Sequence, residues 1–102
     1  MLPNAALDAL GNATRRDLLE RLRAAPTAVH ELAAEFPVSR PAISRHLRVL
    51  TEAGLVEASA DGTRRIYRLR PEGFLPVRDY CDGFWDIALR RFQMVAENGP
   101  ES

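Results

Sequence analysis

The chain has 102 residues, 46% hydrophobic and 27% charged, with a formal net charge of zero. That size suits one small globular domain spanning 1–102 and leaves no room for two. A single cysteine, Cys81, excludes a disulfide framework and any zinc site that needs two or four cysteines. No apolar run approaches the ~20 residues that span a bilayer. The opening Met1-Leu2-Pro3-Asn4 lacks the basic stretch and apolar core of a secretory signal, so a cytoplasmic protein without a membrane partner is expected. So small a core gains from self-association.

The zero sum conceals an uneven distribution. Residues 38–70 hold seven arginines (40, 45, 48, 64, 65, 68, 70) against Glu52, Glu57 and Asp61, a net +4, while the flanks together carry −4. All fourteen basic residues are arginine, the side chain that meets guanine edges and phosphates with two parallel hydrogen bonds.

In chain order, a short helix is predicted from Asn4 to Leu10, closed by Gly11. A second starts near Asn12 or Thr14 and runs to about Ala24, with Leu18, Leu19 and Leu22 at helical spacing. Pro26 ends it, and Thr27 is expected to cap a third helix over Ala28 to Phe36. After the Pro37-Val38 turn, Ser39 is an N-cap and Pro41 sits in a first turn where a missing N–H costs nothing. The fourth helix runs from Arg40 to about Ala53, stopped by Gly54 in the left-handed region. At about 100° per residue, Ile43, Leu47 and Leu50 fall within about 60° of one another. Arg40, Pro41, Ser44, Arg45 and Arg48 span the other side, and His46 lies at the edge of the apolar face.

Strands follow at Leu55–Ala58 and Arg64–Arg70, joined by a turn at Asp61-Gly62. Pro71 breaks the second. A last helix runs from about Leu75 to Ala96, with Gly83 as a weak point. It carries two apolar stripes: Val77, Cys81 (with Tyr80), Phe84 and Ala88, and Trp85, Leu89, Phe92 and Ala96. One small core cannot cover both, so one stripe is expected on the chain's own domain and the other on a partner subunit. Cys81 is expected to be a buried, small apolar residue. The tail 98–102 is expected to fray.

Two short helices joined by a tight turn, the second basic on its outer face, then a basic hairpin, form a winged helix-turn-helix. The expected fold is mainly α, with about five helices and a two-stranded wing. The fourth helix is narrow enough for the major groove, and its N-terminal end is expected to offer free backbone N–H groups to phosphate. The hairpin tip, with Thr63, Arg64 and Arg65, can reach the neighbouring minor groove or backbone. Arg15 and Arg16 are expected to cap or to pair with acids on neighbouring helices, with a phosphate contact as the lesser alternative, and His30 to be exposed.

Three ordered motifs resemble the ArsR-type bacterial transcriptional regulators. They are Ala9-Leu10-Gly11-Asn12-Ala13-Thr14-Arg15-Arg16, the run from Val38 to Val56, and Asp61-Gly62-Thr63-Arg64-Arg65-Ile66-Tyr67-Arg68-Leu69. The resemblance covers about residues 5–95. It implies a homodimeric repressor on a pseudo-palindromic double-stranded DNA operator, bacterial nucleoid-associated when bound. Its base readers would be Arg40, Pro41, Ser44 and Arg45, with Ser39 at the helix start. Its dimer interface would join the first and last helices through Leu7, Leu10, Tyr80, Phe84, Trp85, Ala88, Leu89 and Phe92.

The chain departs from the family's metal-sensing members. Their thiolate pair falls on Ala28 and His30, and the last helix has Asp79, Cys81, Asp82 and Asp86 without a histidine. An Asp-x-Cys pair is a weak zinc set, so no metal or cofactor is expected. No catalytic set emerges either: there is no nucleophile elbow, P-loop or His-Glu-x-x-His motif. Two competing readings are a sensor of metal or thiol-reactive compounds through Cys81, and a winged-helix protein-interaction module that binds no DNA. The sequence identifies no small-molecule inducer.

Overall fold

A computed structural model describes residues 3–98, so the tail expected to fray lies outside the described residues from 99 onward. The elements are α1 (Asn4–Leu10), α2 (Ala13–Ala24), β1 (Thr27–Ala28), α3 (Val29–Glu35), α4 (Arg40–Glu52), β2 (Val56–Asp61), β3 (Arg64–Leu69), a 3-10 turn (Pro71–Phe74) and α5 (Leu75–Glu97). Most boundaries follow from local chemistry. Asn12 Oδ1 accepts the Arg15 N–H at 3.0 Å and starts α2. Ser39 Oγ accepts the Ala42 N–H at 3.2 Å and starts α4, with Pro41 in its first turn. Gly54 ends α4 at φ +78° and Gly62 turns the hairpin at φ +64°, values that glycine adopts without steric cost.

The segment before α3 departs from expectation. Thr27 does not cap the helix; it is buried in β1, and its Oγ1 donates to the Ala25 carbonyl at 2.9 Å. Helix α3 starts one residue late, at Val29, with no side-chain cap. The sheet therefore has three antiparallel strands rather than two, in the order β1-β3-β2. Thr27 faces Tyr67 and Ala28 faces Ile66, while the hairpin pairs Val56 with Leu69 through to Asp61 with Arg64. β3 has two edges, and β1 satisfies the one that the hairpin leaves open. This ties the wing to the helical body.

One core serves every element up to β3. It joins Ala6 and Ala9 of α1, Leu18, Leu19 and Leu22 of α2, Leu32 of α3, Ile43, Leu47 and Leu50 of α4, then Leu55, Val56 and Tyr67. The three α4 residues are fully covered. At ~1.5–3 kcal/mol for each such side chain, they fix the roll of α4 and so decide which residues face outward.

Helix α5 behaves differently. Only Phe74, just before it, and Val77 in its first turns pack on the core. Beyond that point neither stripe lies on the chain's own body: Phe84, Trp85, Leu89 and Phe92 are all exposed, and so is Cys81. The expected division of one stripe inward and one outward, and the expected burial of Cys81, are thus overturned. The cause lies at the root of the helix. Gly73 sits hard against the Gly54 carbonyl, and from there α5 runs away from the body. The radius of gyration is 18.8 Å, against about 13 Å for a compact chain of this length.

Candidate nucleic-acid interface

With Ile43, Leu47 and Leu50 inward, α4 turns Arg40, Pro41, Ser44, Arg45 and Arg48 to solvent. Ser39, just before it, is also exposed. Thr51 and Glu52 extend the same exposed surface, and the sequence reading had left both out. The expectation of several free N–H groups at the start of α4 does not hold. Ser39 takes the Ala42 N–H with its side chain and the Ile43 N–H with its carbonyl. Pro41 has none, so Arg40 alone retains a free N–H there among the described residues.

The arginines divide into two sets. Arg15 donates through Nε to the Ala9 carbonyl at 2.7 Å and through Nη2 to the Asp8 carbonyl at 3.1 Å, and Arg16 donates to the Leu10 carbonyl at 2.9 Å. Both therefore cap the end of α1. Arg21 and Glu35 form a two-point pair at 2.7 and 3.2 Å, and the Glu35 carboxylate raises the Arg21 pKa. Arg23, Arg70 and Arg78 pair with Glu20, Glu72 and Asp79. Among the described residues, Arg40, Arg45 and Arg48 have no such partner. Arg68 on β3 and Arg90 and Arg91 on α5 likewise have none among the described residues; what sets the other three apart is that they share the outward face of one helix.

The wing adds to this surface. Thr63, Arg64 and Arg65 are exposed at the hairpin end. Arg65 stacks over the ring of buried Tyr67, 5.8 Å from its centroid, which holds the guanidinium near the sheet. Arg48, Ser44 and Thr51 of α4 line one cleft together with Arg65 and Val29. Arg64 is less available, because its Nη2 donates to Glu31 Oε1 on α3 at 2.9 Å. His30 is exposed, as expected, with Nε2 3.9 Å from the same carboxylate.

Leu7 and Leu10 of α1 are half-buried. On α5, Phe84, Trp85, Leu89 and Phe92 are exposed, Tyr80 is exposed and edge-on to Phe84 at 5.1 Å between ring centres, and Ala88 is partly shielded.

Residues 12–58, from the cap of α2 into β2, match the family described as bacterial regulatory protein, arsR family. The chain is 46% identical over 101 residues to the HTH-type transcriptional regulator Rv2034 of Mycobacterium tuberculosis, covering 98% of this chain and 94% of the relative. It belongs to the arsR family. Solved structures agree with this. An ArsR-like transcriptional regulator from Rhodococcus sp. RHA1 is 31% identical and superposes with a TM-score of 0.74 over 92% of both chains. The homodimeric winged helix-turn-helix DNA-binding domain of Mb0332 from Mycobacterium bovis is 28% identical, with a TM-score of 0.67 over 86% of this chain and 82% of that one.

This arsR-family chain does not fit a metal at the position used by metal-sensing members. Ala28 is fully buried and has no ligand atom, and His30 is exposed beside Glu31. No group of three His, Cys, Asp or Glu suited to a metal ion occurs among the described residues. No helix among them is long and apolar enough to cross a membrane.

Proposed function

We propose that this arsR-family protein is a homodimeric, sequence-specific repressor that binds a pseudo-palindromic DNA operator. The whole chain acts as one winged helix-turn-helix unit, cytoplasmic and nucleoid-associated when bound. One observation carries the reading: the core fixes α4 so that Arg40, Arg45 and Arg48 face solvent with no partner among the described residues. An exposed row of unpaired guanidinium groups on a helix of this width is what the major groove receives.

In this reading Arg40 and Arg45 take guanine edges, Pro41 and Ser44 contact neighbouring bases, and Ser39 fixes the helix start. Arg48 and Arg65 meet phosphates across their shared cleft, with Thr63 and Arg64 beside them at the wing tip. Phosphate neutralisation supplies most of the affinity and the base edges supply the choice of sequence. The bare apolar surface of α5 supports a two-fold assembly with α1, through Leu7, Leu10, Tyr80, Phe84, Trp85, Ala88, Leu89 and Phe92. Paired recognition helices would then read half-sites about 34–36 Å apart.

Selection of bound sequences from a random duplex pool, followed by fluorescence anisotropy on the selected site, tests the proposal. Arg45→Ala is expected to cost ~1–3 kcal/mol and to relax the choice at one operator position. No enrichment of any sequence, or unchanged affinity in both Arg45→Ala and Arg48→Ala, would remove the assignment.

A further inference from the structure

Arg15 and His46 meet at the junction of α1, α2 and α4. Two donors of Arg15 are fixed on the α1 carbonyls of Ala9 and Asp8, and its remaining Nη1 lies 3.5 Å from His46 Nδ1. A guanidinium can only donate, so Nδ1 is the acceptor and the ring is neutral, with its proton on Nε2. Burial first, then Arg15 and Arg45, hold His46 below the ordinary imidazole range.

The groups facing this ring are Arg15 from α2 and Arg45 from its own helix; α1 contributes backbone carbonyls through Arg15. Together with Arg48, they line an open hollow of about 510 Å³ beside α4. Ala42, Val49 and Glu52 complete its lining. Glu52 is the carboxylate among these residues, and it bonds to none of the cations among the described residues. Three guanidinium groups and an imidazole therefore share one concave surface, and the best-placed donor, Arg15 Nη1, is already aimed by bonds made elsewhere. A helix lying in the major groove has a phosphate backbone on each side. The wing cleft and this hollow share Arg48 and Glu52, and beyond them the first continues to Ser44, Thr51 and Arg65 and the second to Ala42, His46 and Arg15.

We propose that a DNA backbone phosphate seats in this hollow on Arg15 Nη1 and His46, and that His46 takes up a proton as it does so. The proton comes from solvent and joins Nδ1. The Arg15 Nη1–H turns from the ring to a phosphate oxygen, and Nδ1–H becomes a second donor to the same anion. The charge gained by the ring offsets that of the phosphodiester. Because the complex binds more protons than the separate partners, affinity rises as pH falls through the bound-state pKa of His46, by at most about tenfold per pH unit per site. The inference rests on the DNA-binding reading above.

The phosphate contact is independent of sequence, so a random-sequence 30-base-pair duplex at low salt serves as the probe. The chain has two histidines, His30 and His46. We expect duplex affinity to rise at least about threefold from pH 7.5 to pH 6.0, and His46→Asn but not His30→Asn to abolish the rise. In wild-type protein, NMR titration of the His46 ring should show its pKa higher with duplex than without, a readout that does not depend on a variant folding. Inorganic phosphate alone, at matched ionic strength, should move it less. Affinity that is flat with pH, a rise that survives His46→Asn, or a ring shift with inorganic phosphate but not with duplex would overturn the proposal. Flat but real duplex binding overturns only this site, whereas no binding at either pH overturns the DNA reading itself.

Discussion

Replacing Gly73 with alanine places a methyl group where the structure has backbone. A Cβ there would lie 1.8 Å from the Gly54 carbonyl oxygen, 2.8 Å from its carbon and 3.4 Å from Leu55 Cα. A carbon rests about 3.3 Å or more from a carbonyl oxygen, so the junction must open by roughly 1.5 Å. Gly54 cannot easily retreat. It closes α4 at φ +78°, its carbonyl accepts Arg70 Nη1 at 3.3 Å, and the next residue, Leu55, is fully buried. Overpacking costs ~1–3 kcal/mol where side chains can yield. Here backbone must move, so the top of that range is expected. For a domain of this size, ~3 kcal/mol lowers Tm by roughly 12–24 °C. Circular-dichroism melts at one fixed protein concentration measure it, with Gly83→Ala as the comparison. A Cβ at Gly83 meets nothing within 4 Å, and losing a mid-helix glycine should add ~0.5–1 kcal/mol. A Gly73→Ala protein that melts within about 3 °C of the parent would show that the α4–α5 junction is not closed as described.

The double change Trp85→Ser and Phe92→Ser removes two side chains that are 62% and 77% exposed in the single chain. Sedimentation should show a monomer, and affinity for a two-half-site operator should collapse; an intact dimer would remove the α5 interface. Arg65→Ala should reduce the slope of log affinity against log salt by about one. Arg64→Ala should reduce it less, because Glu31 at 2.9 Å already offsets that charge; the opposite ranking in a salt titration would contradict the wing geometry. His46 has a lowered pKa in the folded chain, so the unfolded chain binds that proton more readily. Its share of stability is complete above its unfolded pKa of about 6.5 and is lost as pH falls below it. Urea midpoints at pH 7.5 and 5.5 should differ more in the wild type than in His46→Asn, and equal differences would refute the shift.

What the sequence made legible was local. Ser39, Pro41 and Gly54 bracket α4 through bonds that span four residues or fewer, and the spacing of Ile43, Leu47 and Leu50 was enough to orient it. Gly62 marked the hairpin for the same reason. Contacts between distant segments were not legible. β1 is two residues long, too short for any alternation, and exists only because β3 offers an edge some forty residues later. The stripes of α5 were read correctly as exceeding one core. Their position was not, since it depends on Gly73 meeting Gly54. Nothing in the spacing of Arg15 and His46, or of Glu31 and Arg64, shows that each pair meets.

The narrow root of α5 gives the molecule leverage. A helix of 23 residues is about 34 Å long. A tilt of about ten degrees at the glycine contact would therefore carry its far end through roughly 6 Å, close to two base-pair steps of about 3.4 Å. In a two-fold pair, a hinge angle too small to disturb the core would be enough to put one reading head in step with its half-site or out of it.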